Sequence, residues 1–72
     1  MISEVELGKN LRRARSWNFL SLVKAAELVP CAQGNLGSYE RGVRYPPMHI
    51  FLRLCEMYHK TPNELLGMEE KG

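Results

Sequence analysis

The thiols and imidazoles of this sequence, which can bind metal ions or act in catalysis, are those of Cys31, Cys55, His49 and His59. Structural zinc sites take ligands in closely spaced pairs, whereas the two cysteines lie far apart and form no C-x-x-C motif. The sequence also shows no nucleophile–base pair, no paired carboxylates and no glycine loop that would cradle a phosphate. The sequence therefore predicts no metal site and no cofactor. It also predicts that the protein is not an enzyme.

Hydrogen-bonding side chains cluster in one short segment, at Gln33, Asn35 and Ser38. In a helix of 3.6 residues per turn they lie opposite Leu36 and Tyr39, which are predicted to face the core. An amide donates and accepts side by side, and so matches N6 and N7 of adenine in the major groove of DNA. Taken alone, these side chains are interpreted more simply as polar residues of a solvent-facing helix.

Basic residues dominate most of the chain, although its formal charge is only +2. Between Leu7 and Leu66 lie nine basic and four acidic residues, which leaves a net charge of +5 in that stretch. A local excess of this kind favours contacts with phosphate groups. Lys9, Arg12 and Arg13 share one helix face, and we interpret these three as a solvated surface that confers solubility.

The 72 residues are enough for one small domain. A chain of this size buries about 60% of the surface that its unfolded form exposes, which leaves a thin core and no room for a deep substrate cleft. Its apolar runs are far shorter than the roughly 20 residues of a membrane span. The acidic start, from Met1 to Glu6, differs from a signal peptide, and the isolated cysteines fit a reducing compartment. We therefore expect a cytoplasmic protein with no membrane segment.

Helix signals follow one another along the chain without strand-like alternation. Three candidate N-caps precede apolar stretches with helical spacing, namely Ser3, Ser21 and Thr61. The third helix is predicted over about Ala32 to Glu40, and Pro47 is predicted in the first turn of the fourth. The sequence thus predicts a compact all-α domain of five short helices over residues 1–67, followed by a polar tail over residues 68–72.

Several short blocks stand in a characteristic order and spacing: Leu7-Gly8-Lys9-x-Leu11-Arg12-x-x-Arg15, Leu20-Ser21, Ala26-Glu27, Leu36-x-x-Tyr39-Glu40-Arg41-Gly42, Pro46, Leu54 and Asn63-Glu64-Leu65-Leu66. Each block alone is common in proteins, but the ordered set is specific. With these blocks the chain resembles the lambda-repressor-like helix-turn-helix family, also called the Cro/C1 or xenobiotic-response-element type. The resemblance runs without gaps from Leu7 to about Leu66.

The resemblance implies a sequence-specific regulator of transcription that binds double-stranded DNA as a homodimer, on a pseudo-palindromic site in the nucleoid. The third helix would read bases in the major groove through four residues: Gln33, Gly34, Asn35 and Ser38. Phosphate contacts would come from five others: Ser21, Arg15, Arg41, Arg44 and Tyr45. The resemblance also implies a structural ion pair between Arg15 and Glu40.

Several positions depart from the family pattern. Pro30 stands where the family has a turn glycine, Leu22 where it has a phosphate-contacting glutamine, and Ala32 where it has a serine or threonine cap. Because proline cannot adopt positive φ, the turn before the third helix must be reshaped. His59 falls where the family ends a helix with glycine, which predicts a strained C-cap.

Trp17 and Phe19 stand in the connection between the first two helices, where the family has polar residues or glycine. We expect them to tuck over the thin core. The alternative is an exposed aromatic patch for a partner subunit or another protein. That patch supports a second hypothesis, in which the same fold serves chiefly as a protein-interaction module, either antitoxin-like or an adaptor.

Overall fold

Five helices build the part of the chain that the computed structural model describes, residues 2–68. They are Glu4–Trp17 (α1), Leu22–Leu28 (α2), Gln33–Arg41 (α3), Met48–Tyr58 (α4) and Pro62–Leu65 (α5). No strand occurs in this range, so the predicted all-α class and the number of helices are confirmed. Of the tail predicted over residues 68–72, all but Met68 lies outside the described residues.

The helix starts follow local side-chain chemistry. Ser3, Ser21 and Thr61 each accept a hydrogen bond at 3.1 Å from the backbone N–H three residues further on. At Thr61 the bond is reciprocal, because the Glu64 carboxylate accepts from the Thr61 N–H at 3.0 Å. Caps of this type contribute about 1 kcal/mol each. The prediction for Pro47 was wrong by one position: it is the N-cap of α4 and has extended dihedrals, so the helix begins only after it.

The core is a single apolar cluster to which all five helices contribute. Its fully buried members include Leu11 from α1, Leu36 from α3 and Leu54 from α4. Because α2 and α5 are too short to be stable as isolated helices, burial of residues such as Ala25 and Leu65 holds them in place. Within residues 2–68, no helix has both the length and the apolar composition that crossing a membrane requires.

A close crossing of α1 and α3 determines how α3 is held. A Cβ atom added at Gly8 would lie 2.6 Å from the carbonyl oxygen of Tyr39 and closer still to that of Glu40. No side chain fits at this point, so the backbone of α1 rests directly on the C-terminal half of α3. The packing between the two helices thus requires Gly8, although glycine is unfavourable in the interior of a helix.

The connection between α1 and α2 contradicts the expectation that its aromatic residues cover the core. The exposed fraction of the residue is 71% for Trp17 and 94% for Phe19. The chain reverses here with Phe19 in a left-handed conformation (φ 55°), and Leu20 packs against the core instead. Asn18 takes the inner position and donates from Nδ2 to the carbonyl oxygens of Ala14 (2.8 Å) and Tyr58 (3.1 Å). Asn18 thus forms a polar bridge between α1 and the end of α4, and the two rings lie outside it in solvent.

Candidate nucleic-acid interface

The segment from Leu22 to Arg41 forms a helix-turn-helix unit. Ala25 and Ala26 are buried between α2 and its neighbours, which lets α3 approach closely, and Leu36 anchors α3 with no exposed area. The turn at Pro30 is reshaped as the sequence predicts: none of its residues has positive φ, and its Val29–Pro30 peptide bond is cis. The Cys31 N–H closes the turn by donating to the Ala26 carbonyl at 2.8 Å.

The outer face of α3 carries the four residues that the sequence predicts as base contacts. Gln33 and Gly34 are exposed, and Asn35 and Ser38 are half-buried. A Cβ atom added at Gly34 would meet nothing within 4 Å. The backbone at this point therefore lies open to solvent, so a ligand can approach it closely.

Hydrogen bonds distinguish these side chains. The Ser38 hydroxyl donates to the Gly34 carbonyl at 3.0 Å, and Asn35 Oδ1 accepts a hydrogen bond from Arg44 Nη2. Among residues 2–68, no hydrogen bond engages the Gln33 side chain. Gln33 therefore presents both its donor and its acceptor to solvent, which is the state that pairing with a base edge requires.

The loop after α3 places Arg44 and Tyr45 beside this face. The Arg44 guanidinium lies 5.7 Å from the centroid of the Tyr39 ring, a cation–π contact that together with Asn35 orients the charge. The Tyr45 hydroxyl donates to the carbonyl oxygen of Ile2 at 2.6 Å and so ties the loop to the N-terminus. Arg44 is exposed and has no carboxylate within 4 Å among the described residues.

Arg15 and Glu40 form a partly buried ion pair between α1 and α3. Arg15 donates from Nε and Nη2 to the two carboxylate oxygens at 2.7 and 2.9 Å, and from Nη1 to the carbonyl oxygen of Leu20 at 2.9 Å. The hydrogen bond to Glu40 raises the pKa of Arg15 above its ordinary value. Because each guanidinium nitrogen already has a protein partner, the geometry supports a structural role. The predicted contact of Arg15 with phosphate stays a prediction.

The other predicted phosphate contacts lie at the junction of α1, α2 and α3. Ser21 uses its hydroxyl to cap α2 by accepting from the Lys24 N–H, and it remains exposed. Arg41 is exposed and lines the same concavity as Arg12 of α1. Arg12, which the sequence places on a solvated face together with Lys9 and Arg13, is exposed as expected and also lines this concavity. Its spacing of three residues from Arg15 places both side chains on the same face of α1.

No group of three or more His, Cys, Asp or Glu side chains within residues 2–68 is arranged to hold a metal ion. Burial raises the pKa of both Cys31 and Cys55, which disfavours the reactive thiolate. His59 ends α4 in the left-handed conformation (φ 56°), as the family pattern predicts.

Comparisons with known proteins agree with this geometry. Residues 6–66 match the family model described as a helix-turn-helix domain. Two HTH-type transcriptional regulators of Bacillus subtilis (strain 168) are similar in sequence: ImmR is 35% identical over 66 residues and AnsR is 33% identical over 61 residues. These alignments cover 92% and 85% of this chain but 52% and 50% of the relatives, so the chain spans about half of their length.

A solved structure shows the same arrangement of helices. It is the crystal structure of the restriction-modification controller protein C.AhdI from Aeromonas hydrophila, which superposes with a TM-score of 0.80 at 31% sequence identity. The superposition covers 86% of this chain and 94% of C.AhdI. With the matched family model, the two regulators and the shared fold, the chain belongs to the lambda-repressor-like helix-turn-helix family of DNA-binding transcriptional regulators.

Proposed function

We propose that this domain binds double-stranded DNA sequence-specifically by inserting α3 into the major groove, and that it regulates transcription in this way. The single observation that carries the proposal is the state of Gln33: it is exposed at the start of α3 and makes no hydrogen bond within residues 2–68. Asn35 and Ser38 adjoin it on the outer face, where Asn35 keeps its amide N–H groups free of partners within the same range. The amide of Gln33 pairs with a base, most favourably adenine.

The phosphate backbone supplies most of the affinity in this proposal. Arg44 and Arg41 lie in or beside the loop after α3, and both are exposed. Two copies of the domain bind a pseudo-palindromic site whose half-sites are about one helical turn, roughly 34 Å, apart. Binding to chromosomal DNA places the protein in the cytoplasm, on the nucleoid, and requires no catalytic step.

Selection of binding sites from a random DNA pool tests the proposal and identifies the cognate site, its length and its symmetry. With that site, replacing Gln33 by Ala should weaken specific binding by about 1–3 kcal/mol and relax base preference at one position in each half-site. Affinity for random duplex should stay unchanged. Arg44→Ala should instead weaken binding to all duplexes to a similar extent and lower the salt dependence.

A matched control is Asn63→Ala, which removes an exposed amide from α5, away from α3. It should leave both specific and random binding unchanged, as measured by fluorescence anisotropy. If Gln33→Ala lowers specific and random binding equally, direct readout by Gln33 is wrong. If it behaves like Asn63→Ala on the cognate site, Gln33 does not contact a base.

A second candidate function, a protein-interaction module, is favoured by the exposure of Trp17 and Phe19. Large exposed aromatic side chains that adjoin one another commonly mark a surface for a partner protein. The two candidates differ in their behaviour on random duplex DNA or heparin at low and moderate salt. Strong, salt-sensitive retention supports DNA binding, and indifference to both polyanions supports the interaction module.

A further inference from the structure

A concave surface lies where α1, the start of α2 and the C-terminal half of α3 meet. We call it the arginine notch and define it by its six lining residues: Arg12, Arg15, Leu22, Gly37, Glu40 and Arg41. Arg12 and Arg41 are exposed, whereas Arg15 and Glu40 form its inner wall. The notch thus brings three arginines and a single carboxylate together.

The charge of this notch is not balanced within the protein. Both carboxylate oxygens of Glu40 accept from Arg15, at 2.7 and 2.9 Å, so the inner pair is neutral overall. Within residues 2–68, neither Arg12 nor Arg41 has a carboxylate oxygen within 4 Å. Two positive charges therefore converge on one concavity, which is the electrostatic arrangement that an anion requires.

Gly37 makes room for one of these charges. A Cβ atom at this position would lie 2.9 Å from Nη1 of Arg41 and 3.7 Å from Cδ2 of Leu22. The guanidinium of Arg41 therefore lies across α3 in the space that a side chain would occupy, beside the apolar surface of Leu22. The Leu22 side chain has no hydrogen-bond donor. The guanidinium groups of Arg12 and Arg41 therefore supply the donors of the notch that have no carboxylate partner.

The notch continues into the outer face of α3. Gly34, Ser38 and Arg41 follow one another at helical spacing, and Arg41 Nη2 donates to the Ser38 hydroxyl at 3.4 Å. Gly37 and Asn35 are two positions apart in the helix and so lie on nearly opposite edges of that face. Arg44 is bound to Asn35 at one edge of the face, and the arginine notch lies beside Gly37 at the other edge.

We propose that Arg12 and Arg41 together bind one phosphodiester group of the DNA backbone in the arginine notch, at the groove edge opposite Arg44. The inference rests on the proposed function and adds Arg12 as a phosphate-binding residue. Arginine suits the task because its planar guanidinium donates two parallel hydrogen bonds to phosphate oxygens. With one anchored phosphate on each strand, the orientation of α3 in the groove is determined from both edges.

The salt dependence of duplex binding tests the inference. Arg12→Ala and Arg41→Ala should each weaken binding to cognate and random duplexes by the same factor. Because the two side chains share one phosphate, replacing both should reduce the magnitude of the slope of log K against log salt by about one. Arg13→Ala is the matched control, because Arg13 is an exposed neighbour on α1 that carries the same charge but lies outside the notch. It should leave the slope unchanged. All three side chains are exposed, so the variants should fold, which a thermal unfolding curve checks.

A scan of the cognate duplex with neutral methylphosphonate groups locates the phosphate. Neutralising one position on each half-site should weaken the wild-type domain, weaken each single variant to a smaller extent, and have no further effect on the variant that lacks both Arg12 and Arg41. The inference is overturned if Arg12→Ala matches Arg13→Ala while the wild-type domain binds duplex, and the proposed function then stands. A wild-type domain that binds no duplex overturns both.

Discussion

The ion pair between Arg15 and Glu40 should be the largest single polar contribution to the stability of this domain. Two hydrogen bonds of 2.7 and 2.9 Å join the groups, whose side chains are only 15% and 6% exposed. Replacing Glu40 by Ala leaves the guanidinium charge without its partner, a change that costs about 3–5 kcal/mol for a buried pair. Because Arg15 keeps its bond to the Leu20 carbonyl and some access to water, we expect the lower end, about 3 kcal/mol.

A loss of this size is large for so small a domain. At roughly 0.05–0.15 kcal/mol per residue, a chain of 72 residues has a free energy of unfolding of about 4–11 kcal/mol. Since 1 kcal/mol shifts the midpoint of thermal unfolding by about 4–8 °C at this size, Glu40→Ala should lower it by about 12 °C or more. Urea unfolding followed by far-ultraviolet circular dichroism measures the free energy directly.

An exposed pair on α2 provides the control. Lys24 and Glu27 lie 3.8 Å apart with side chains 59% and 63% exposed, so Glu27→Ala should change the free energy of unfolding by no more than about 0.5 kcal/mol. Both substitutions remove one carboxylate and therefore change the net charge equally. If Glu40→Ala costs no more than Glu27→Ala, burial does not strengthen the pair, and the attachment of α3 to α1 depends on apolar packing alone.

Two further predictions concern α1 and the core. Gly8→Ala should destabilise the domain by about 1–3 kcal/mol in urea unfolding, because the added methyl group meets the Tyr39 carbonyl. Gly34→Ala places its methyl group in open space and should stabilise the domain by up to about 1 kcal/mol. If the two substitutions shift the free energy of unfolding in the same direction, the close crossing of α1 and α3 is refuted. Tyr58→Phe should stabilise the domain by about 1 kcal/mol at neutral pH, because the buried hydroxyl has no hydrogen-bond partner within residues 2–68. Burial also raises the pKa of Tyr58, because the phenolate is less well solvated in the folded domain than in the unfolded chain. The free energy of unfolding is therefore unaffected by this ionisation below the ordinary tyrosine pKa of about 10, and it falls above that pH as the unfolded chain loses the proton first. Tyr58→Phe should therefore lose less stability than the wild-type domain between pH 9 and 11, and an equally steep loss would contradict this reasoning.

Local signals account for what could be predicted about the elements. Ser3, Ser21 and Thr61 cap three of the helices as predicted, because a hydroxyl reaches the N–H three residues ahead whatever the rest of the chain does. The prediction was off at Pro47 by one position: Pro47 is the N-cap of α4, where it makes no side-chain capping hydrogen bond, and the helix begins at the next residue.

The orientation of α3 was also predictable from its sequence. Leu36 and Tyr39 are buried and Gln33 is exposed, as the helical period requires. That these polar side chains are directed at DNA bases does not follow from the period alone. This assignment depends on the family to which the chain belongs, and its test depends on the variants described above.

The sequence by itself determined the helices, their order and the apolar face of each, because caps and periodicity act over three or four residues. Only the tertiary structure decided which groups from distant parts of the chain meet. It placed Arg12 and Arg41 on one concavity, packed Gly8 against the backbone of α3, and left Trp17 and Phe19 in solvent. The physical reason is that such contacts depend on how closely two helices cross and at what angle, and volume and backbone geometry determine both only once the whole core has packed.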